Sequence, residues 1–160
     1  MTTQLLIQLW QTNQNSVLGP IRKLSPDNYR NRLMPTTASA GFIALHTAEA
    51  MHRFAQMIFN REPTILLQAT GGVMDEGNLL DLPTVLQTVN ESFAMVEEQI
   101  RQTTDEQWAE PVASPFGEAS RMQVLAFLMH HNSYHAGQIA QAIKKGRVFV
   151  RNVAASGTIA

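Results

Sequence analysis

Along most of this chain apolar residues recur at intervals of three and four, the spacing of helices that bury one face. The first such segment runs from about Thr3 to Leu18, with Leu6, Leu9, Trp10 and Val17 on one side and polar Asn13 in the middle of that face. Gly19-Pro20 is expected to stop it. A short helix is expected next, because Ser25-Pro26-Asp27 offers an N-cap, a first-turn proline and an acid, with Pro35 as its end. The second long helix is placed from Thr36 or Thr37 to about Asn60 on the stripe Ile43, Thr47, Ala50, Phe54 and Met57. The third starts at the Asp81-Leu82-Pro83 cap and reaches about Thr104, carrying Leu86, Val89, Phe93, Val96 and Ile100. The fourth opens on a capping box, Ser120 with Gln123, and runs to Lys145 before Gly146.

These segments outline an all-α four-helix bundle in one domain, residues 1–160, with a C-terminal tail from about residue 147. Between the second and third helices, Arg61 to Leu80 contains Pro63, Gly71-Gly72 and Gly77 and reads as a functional loop over one end of the bundle. After Gly146, Arg147 to Arg151 alternates weakly, and the small-residue stretch Ala154–Ala160 is expected to be poorly ordered.

Composition narrows the function classes. Apolar residues make up 44% of the 160 and charged ones 16%, below the usual share of roughly 25%, so a core is affordable and disorder is excluded for most of the length. Twelve Lys or Arg against thirteen Asp or Glu leave a formal charge of −1, with no block of either sign, which disfavours nucleic acid and membrane surfaces as partners. The absence of cysteine removes disulfides, thiolate metal sites and a cysteine nucleophile, so any metal must be held by His and carboxylate. No apolar run has bilayer length and the Leu5–Trp10 stretch lacks signal-peptide flanks; the protein is expected to be cytoplasmic.

The chemistry sits in the fourth helix. Val124, Leu128, His131, His135, Gln138 and Ala142 follow alternating steps of four and three, which puts two histidines and a glutamine at core positions. Residues four apart share a helix face, so His131 and His135 can aim at a common centre. The spacing alone is common, and its usual reading is a ligand-free surface pair; the core register favours a bound ion, because unpaired buried imidazoles cost roughly 1–3 kcal/mol each. His46, flanking the stripe of the second helix, is either a third ligand or a structural histidine. His130 and His52 lie off the seams and read as surface residues. Glu49 could be a fourth ligand or an acceptor behind one, its default reading being an ordinary solvated acid. Met51, Met57, Met122 and Met129 read as core filler. Asn13 is a candidate donor to a bound substrate or a marker of a polar layer.

Leu45-His46-Thr47-Ala48-Glu49 in the second helix, with His131-Asn132-Ser133-Tyr134-His135-Ala136-Gly137-Gln138 in the last, resembles the DinB-like (DinB/YfiT) superfamily of metalloenzymes over nearly the whole chain. The resemblance implies an up-down-down-up bundle with a long crossover between helices 2 and 3. It also implies zinc or nickel held by His46, His131 and His135, often in a homodimer. Relatives with assigned reactions include S-transferases and isomerases that use bacillithiol, mycothiol or glutathione. Three imidazoles leave a coordination position open, as in a catalytic site, and a metal there lowers the pKa of a bound water or thiol. Lacking cysteine, the chain would take its thiol as a low-molecular-weight cosubstrate. Gln138 is a candidate to orient a ligand, Gly137 to permit close helix approach, and no side chain stands out as nucleophile or general base. The leading expectation is a metal-dependent S-transferase acting on small electrophiles. A metal-dependent hydrolase and a non-catalytic metal- or ligand-binding stress protein are the alternatives.

Overall fold

Helices begin where something accepts their free amide protons, and each helix here solves that differently. The computed structural model describes residues 1–78 and 81–149. In α1, Thr2–Ile21, the first amides are taken from across the chain by Asp105, at 3.0 Å from Thr2 N and 2.8 Å from Thr3 N. In α2, Ala40–Phe59, Ser39 Oγ accepts from Phe42 N at 3.3 Å, while Ala40 and Gly41 donate to the carbonyls of Asn31 and Tyr29 at 2.9 and 2.7 Å. In α3, Leu82–Gln102, Asp81 accepts from Thr84 N at 3.1 Å. In α4, Arg121–Lys145, both halves of the expected capping box form, Ser120 N to Gln123 Oε1 at 2.8 Å and Gln123 N to Ser120 Oγ at 3.2 Å.

Cross-helix bonds set the directions. Thr3 Oγ1 donates to Thr103 O and Trp10 Nε1 to Phe93 O, so α1 and α3 run antiparallel. Arg121 donates to Ile58 O while His46 faces His131, so α2 and α4 are antiparallel too. Asn13 bonds Met129 and Ser133, and the segments that follow α1 and α4 pair through Arg32 and Arg147, which makes those two helices parallel. The bundle is therefore up-down-down-up. Its α2 and α3 point the same way, and the chain between them must travel back along the molecule, which is why that connection is long. Each of α1 and α2 packs on both α3 and α4. No helix among the described residues is long and apolar enough to cross a membrane.

The core stripes of α3 and α4 match the sequence pattern: Val89, Phe93, Val96, Ile100, Val124 and Leu128 are fully buried. Several expectations need correction. Leu9 is 47% exposed; one residue behind Trp10, it turns about 100° away from that buried ring, and Leu6 and Ile7 take the core side instead. Helix α1 continues through Gly19-Pro20 to Ile21, since the φ of proline is helical and its ring removes a single bond in the last turn. Helix α2 starts at Ala40, not Thr36 or Thr37, because the carbonyls of residues 29–31 and the Ser39 side chain satisfy its first amides. The short helix expected from Ser25 is a set of turns: Asn28 Oδ1 takes the Ser25 amide at 2.9 Å and its Nδ2 donates to Lys23 O, so the side chain closes the loop that a helix would have continued. Before α4 lie a 3-10 turn, Gln107–Ala109, and an unforeseen antiparallel hairpin of β1 (Pro111–Ser114) and β2 (Gly117–Ser120). Its Pro115-Phe116 turn uses Gly117 at φ +99°, the left-handed region that glycine enters freely. The stretch Ala154–Ala160 lies outside the described residues.

Candidate metal centre

Helices α2 and α4 bring three imidazoles to one point. His46 Nε2 lies 3.4 Å from His131 Nε2, and His135 Nε2 lies 3.1 Å from it. One turn of α4 separates the second and third; the first arrives from the antiparallel helix opposite. All three are half-buried and form a group able to hold a metal ion, one ligand atom each within 4.8 Å of the others.

The neighbours of each ring decide which nitrogen it offers. His46 Nδ1 sits 2.6 Å from the Ala69 carbonyl, which can only accept, so the proton is on Nδ1 and the Nε2 lone pair is free. His135 Nδ1 donates to Gln138 Oε1 at 2.7 Å, with the same result. His131 Nδ1 and the Oδ1 of its neighbour Asn132 are both buried without a hydrogen-bond partner. Burial, followed by the nearby His135 and His46, pushes the His131 pKa down to about 4, and the Asn132 side chain opposes this as acceptor. Burial also lowers His135, against the pull of Gln138. With the His131 proton on Nδ1, three lone pairs would converge and repel unless a cation sat among them. Nitrogens at about 2.0–2.1 Å from a tetrahedral ion stand roughly 3.3 Å apart, so the observed spacings fit a divalent metal.

The sequence matches the DinB family over residues 1–147. The chain belongs to the DinB family. A search of curated proteins gives no match.

Behind the three histidines of this DinB-family protein stands Glu49, for which the structure favours the acceptor over the default solvated acid. Glu49 is fully buried, not solvated. Its carboxylate accepts from Gln68 N at 2.8 Å, Ala69 N at 2.7 Å and Thr70 Oγ1 at 3.3 Å, and so pins the crossover where the Ala69 carbonyl meets His46. Its oxygens are spent on the crossover, which makes it an anchor behind a ligand. Arg53 adds a bond to Thr70 Oγ1 at 2.8 Å. His52 is also buried, contrary to expectation: α2 packs on two helices, so its inward arc is wider than a single stripe. His130 is exposed, as its register indicates.

Asn13 and Gln138 go to different places. Gln138 orients His135 and lines the cavity beside it. Asn13 spends both amide protons on α4, to Met129 O and Ser133 Oγ at 2.9 Å each, and accepts from Asn132 Nδ2 at 3.4 Å. It thus steadies the residue next to His131 and does not line that cavity. A side chain at Gly137 would meet nothing within 4 Å, so close helix approach is not its role. Close backbone approach occurs instead at Gly146, the C-cap of α4, where a Cβ would stand 2.3 Å from Ala142 O of the same helix and 2.9 Å from Arg32 O of the segment before α2.

His46 and His135 form one end of a cavity of about 400 Å³ bounded by α2, α4, the segment before α2 and the crossover. Three of its contributors had no signal in the sequence pattern: Ala69, whose carbonyl has no side-chain signature, and the loop residues Thr37 and Val73, whose place depends on how the loops fold back.

Proposed function

We propose that this protein binds a divalent metal, zinc or nickel, through His46, His131 and His135, and transfers a low-molecular-weight thiol to a small electrophile. The observation that carries the reading is three imidazole Nε2 atoms converging beside a cavity whose described lining has no carboxylate and no lysine. A bound metal supplies Lewis acidity there, lowering the pKa of a thiol or water near neutral pH. The chain's own residues do the positioning. Ala69 and Gln138 hold His46 and His135 in the tautomer that presents Nε2, and Glu49 holds Ala69. In the transfer, sulfur forms one bond to carbon, the leaving group departs with the electron pair of the bond that breaks, and the thiol proton passes to solvent.

Thiol transfer is favoured over hydrolysis because no carboxylate lines the cavity among the described residues, leaving a hydrolytic route without a side chain to pass protons to its leaving group. The exposed Leu5 and Leu9, one turn apart on α1, offer an apolar surface for the second copy of a homodimer; a monomeric mass in solution would remove that part of the reading.

The test is elemental analysis of the untagged protein with its His46→Ala, His135→Ala and His130→Ala variants. About one metal per chain in the parent and in His130→Ala, lost in the other two, is the expected result, followed by metal-dependent conjugation of a thiol. Turnover without thiol would favour hydrolysis, and ligand binding without turnover a binding protein. Metal retained after loss of His135 would remove that residue from the ligand set.

A further inference from the structure

The walls of the cavity say what can enter it. Beyond the histidine end they are Phe42, Ile43, Ala142 and Ala38, with Leu33 and Val73 at the mouth, 44% and 52% exposed. Its volume of about 400 Å³ is in the range that holds a small organic molecule. Among the described residues that line it there is no Asp, Glu, Lys or Arg. Two of its polar side-chain atoms are engaged: Thr37 Oγ1 bonds the amide and carbonyl of Met34 at 3.1 and 3.0 Å, and Gln138 Oε1 bonds His135, which leaves the neutral Gln138 amide group as a side-chain donor. The nearest guanidinium on the same segment, Arg32, is held by Asp75 at 2.9 Å and does not line the cavity. A carboxylate or ammonium placed here would lose its hydration and gain no charged partner from the lining, whereas each methylene buried would gain.

We propose that this cavity takes the uncharged hydrocarbon body, alkyl or aryl, of a substrate whose reacting end lies against His46 and His135, and that it turns away charged small molecules. This rests on the reading of the histidines as the reacting end. The hydrocarbon can belong to the thiol or to the electrophile, and the two sources are separable. Charged portions of a peptide-like thiol would have to stay outside the mouth.

Two measurements test it. The first uses metal-free, isotope-labelled protein titrated with hexanol, where amide shifts confined to Ala38, Gly72, Val73 and their neighbours are expected. The second uses cobalt-loaded protein and the sulfur-to-cobalt absorption band, titrated with ethanethiol, butanethiol, hexanethiol and mercaptohexanoate. Affinity rising about fourfold per methylene, with mercaptohexanoate at least tenfold weaker than hexanethiol, assigns the hydrocarbon body to the thiol. Hexanol binding with no dependence on thiol chain length assigns it to the electrophile. A Val73→Lys substitution at the exposed mouth, checked for helix content, is expected to strengthen mercaptohexanoate and weaken hexanethiol. No hexanol shifts together with chain-length indifference would overturn the proposal. Should ethanethiol give no cobalt band at all, the thiol reading fails, and the hexanol titration alone decides the cavity.

Discussion

A histidine side chain offers two nitrogens, and what it does depends on which one its neighbours occupy. At His46 the decision belongs to a main-chain oxygen, and the position of that oxygen belongs to Glu49. Replacing Glu49 by Gln keeps the shape and one acceptor but puts amide protons against the N–H of either Gln68 or Ala69. The expected outcome is metal affinity lowered at least tenfold with helix content retained, measured by chelator competition alongside circular dichroism. His131 and His135 were legible in the sequence because a helix repeats side chains on a fixed period and so announces their shared face, whereas His46 was joined to them by the resemblance to the DinB-like superfamily. The duty of Glu49 was not legible, since its partners are amides nineteen and twenty residues further on, and any residue supplies an amide. Asn132 was hidden for a related reason. Between two candidate ligands it looks like spacer, and only the packing of α1 on α4 shows that its side chain meets Asn13.

Among the elements, the ends of helices were read well where a side chain makes the cap and poorly where distant backbone does. Ser120 and Asp81 cap α4 and α3 as their spacing foretold, and Ser120→Ala is expected to cost about 1 kcal/mol in urea unfolding. The start of α2 depends on carbonyls of residues 29–31, which no local signal marks. Gly146 is held by proximity: a methyl group there meets the carbonyls of Ala142 and Arg32, so Gly146→Ala is expected to destabilise by about 1–3 kcal/mol on the same measurement. The crossover has a second anchor in Asp75, which accepts from Ser39 N at 2.8 Å and Gly77 N at 2.9 Å and pairs with Arg32. Burial alone would raise its carboxyl, but the bonds from Ser39 and Gly77 and the charge of Arg32 outweigh it and hold the pKa below 3.8. The unfolded chain then binds a proton more readily than the folded one. The stabilisation is complete above the unfolded value and is lost as pH falls through the folded one. The unfolding midpoint of the parent should therefore drop more steeply between about pH 5 and pH 3 than that of Asp75→Asn.

For the whole molecule, the three histidines join two antiparallel helices that otherwise touch through apolar side chains and the Arg121 bond to Ile58 O, so an ion bound there would tie the fold together. Metal at a hundred times its dissociation constant would add about 2.7 kcal/mol to stability. In a chain of this size that is roughly 5–10 °C in Tm, expected in calorimetry of the parent and absent in His46→Ala. The bundle itself was legible because its four stripes are long and regular. The hairpin before α4 was not, since four-residue strands carry too few positions to show alternation.

The long return path of the crossover has one more consequence, in time rather than in energy. The two amides that Glu49 accepts are on the same strand of chain as the carbonyl that steadies His46, so the loop cannot swing out without freeing that ring. Escape of the ion and breathing of the crossover become one event with one rate. Deuterium should enter Gln68 and Ala69 as fast as the metal leaves, and filling the site should slow both together.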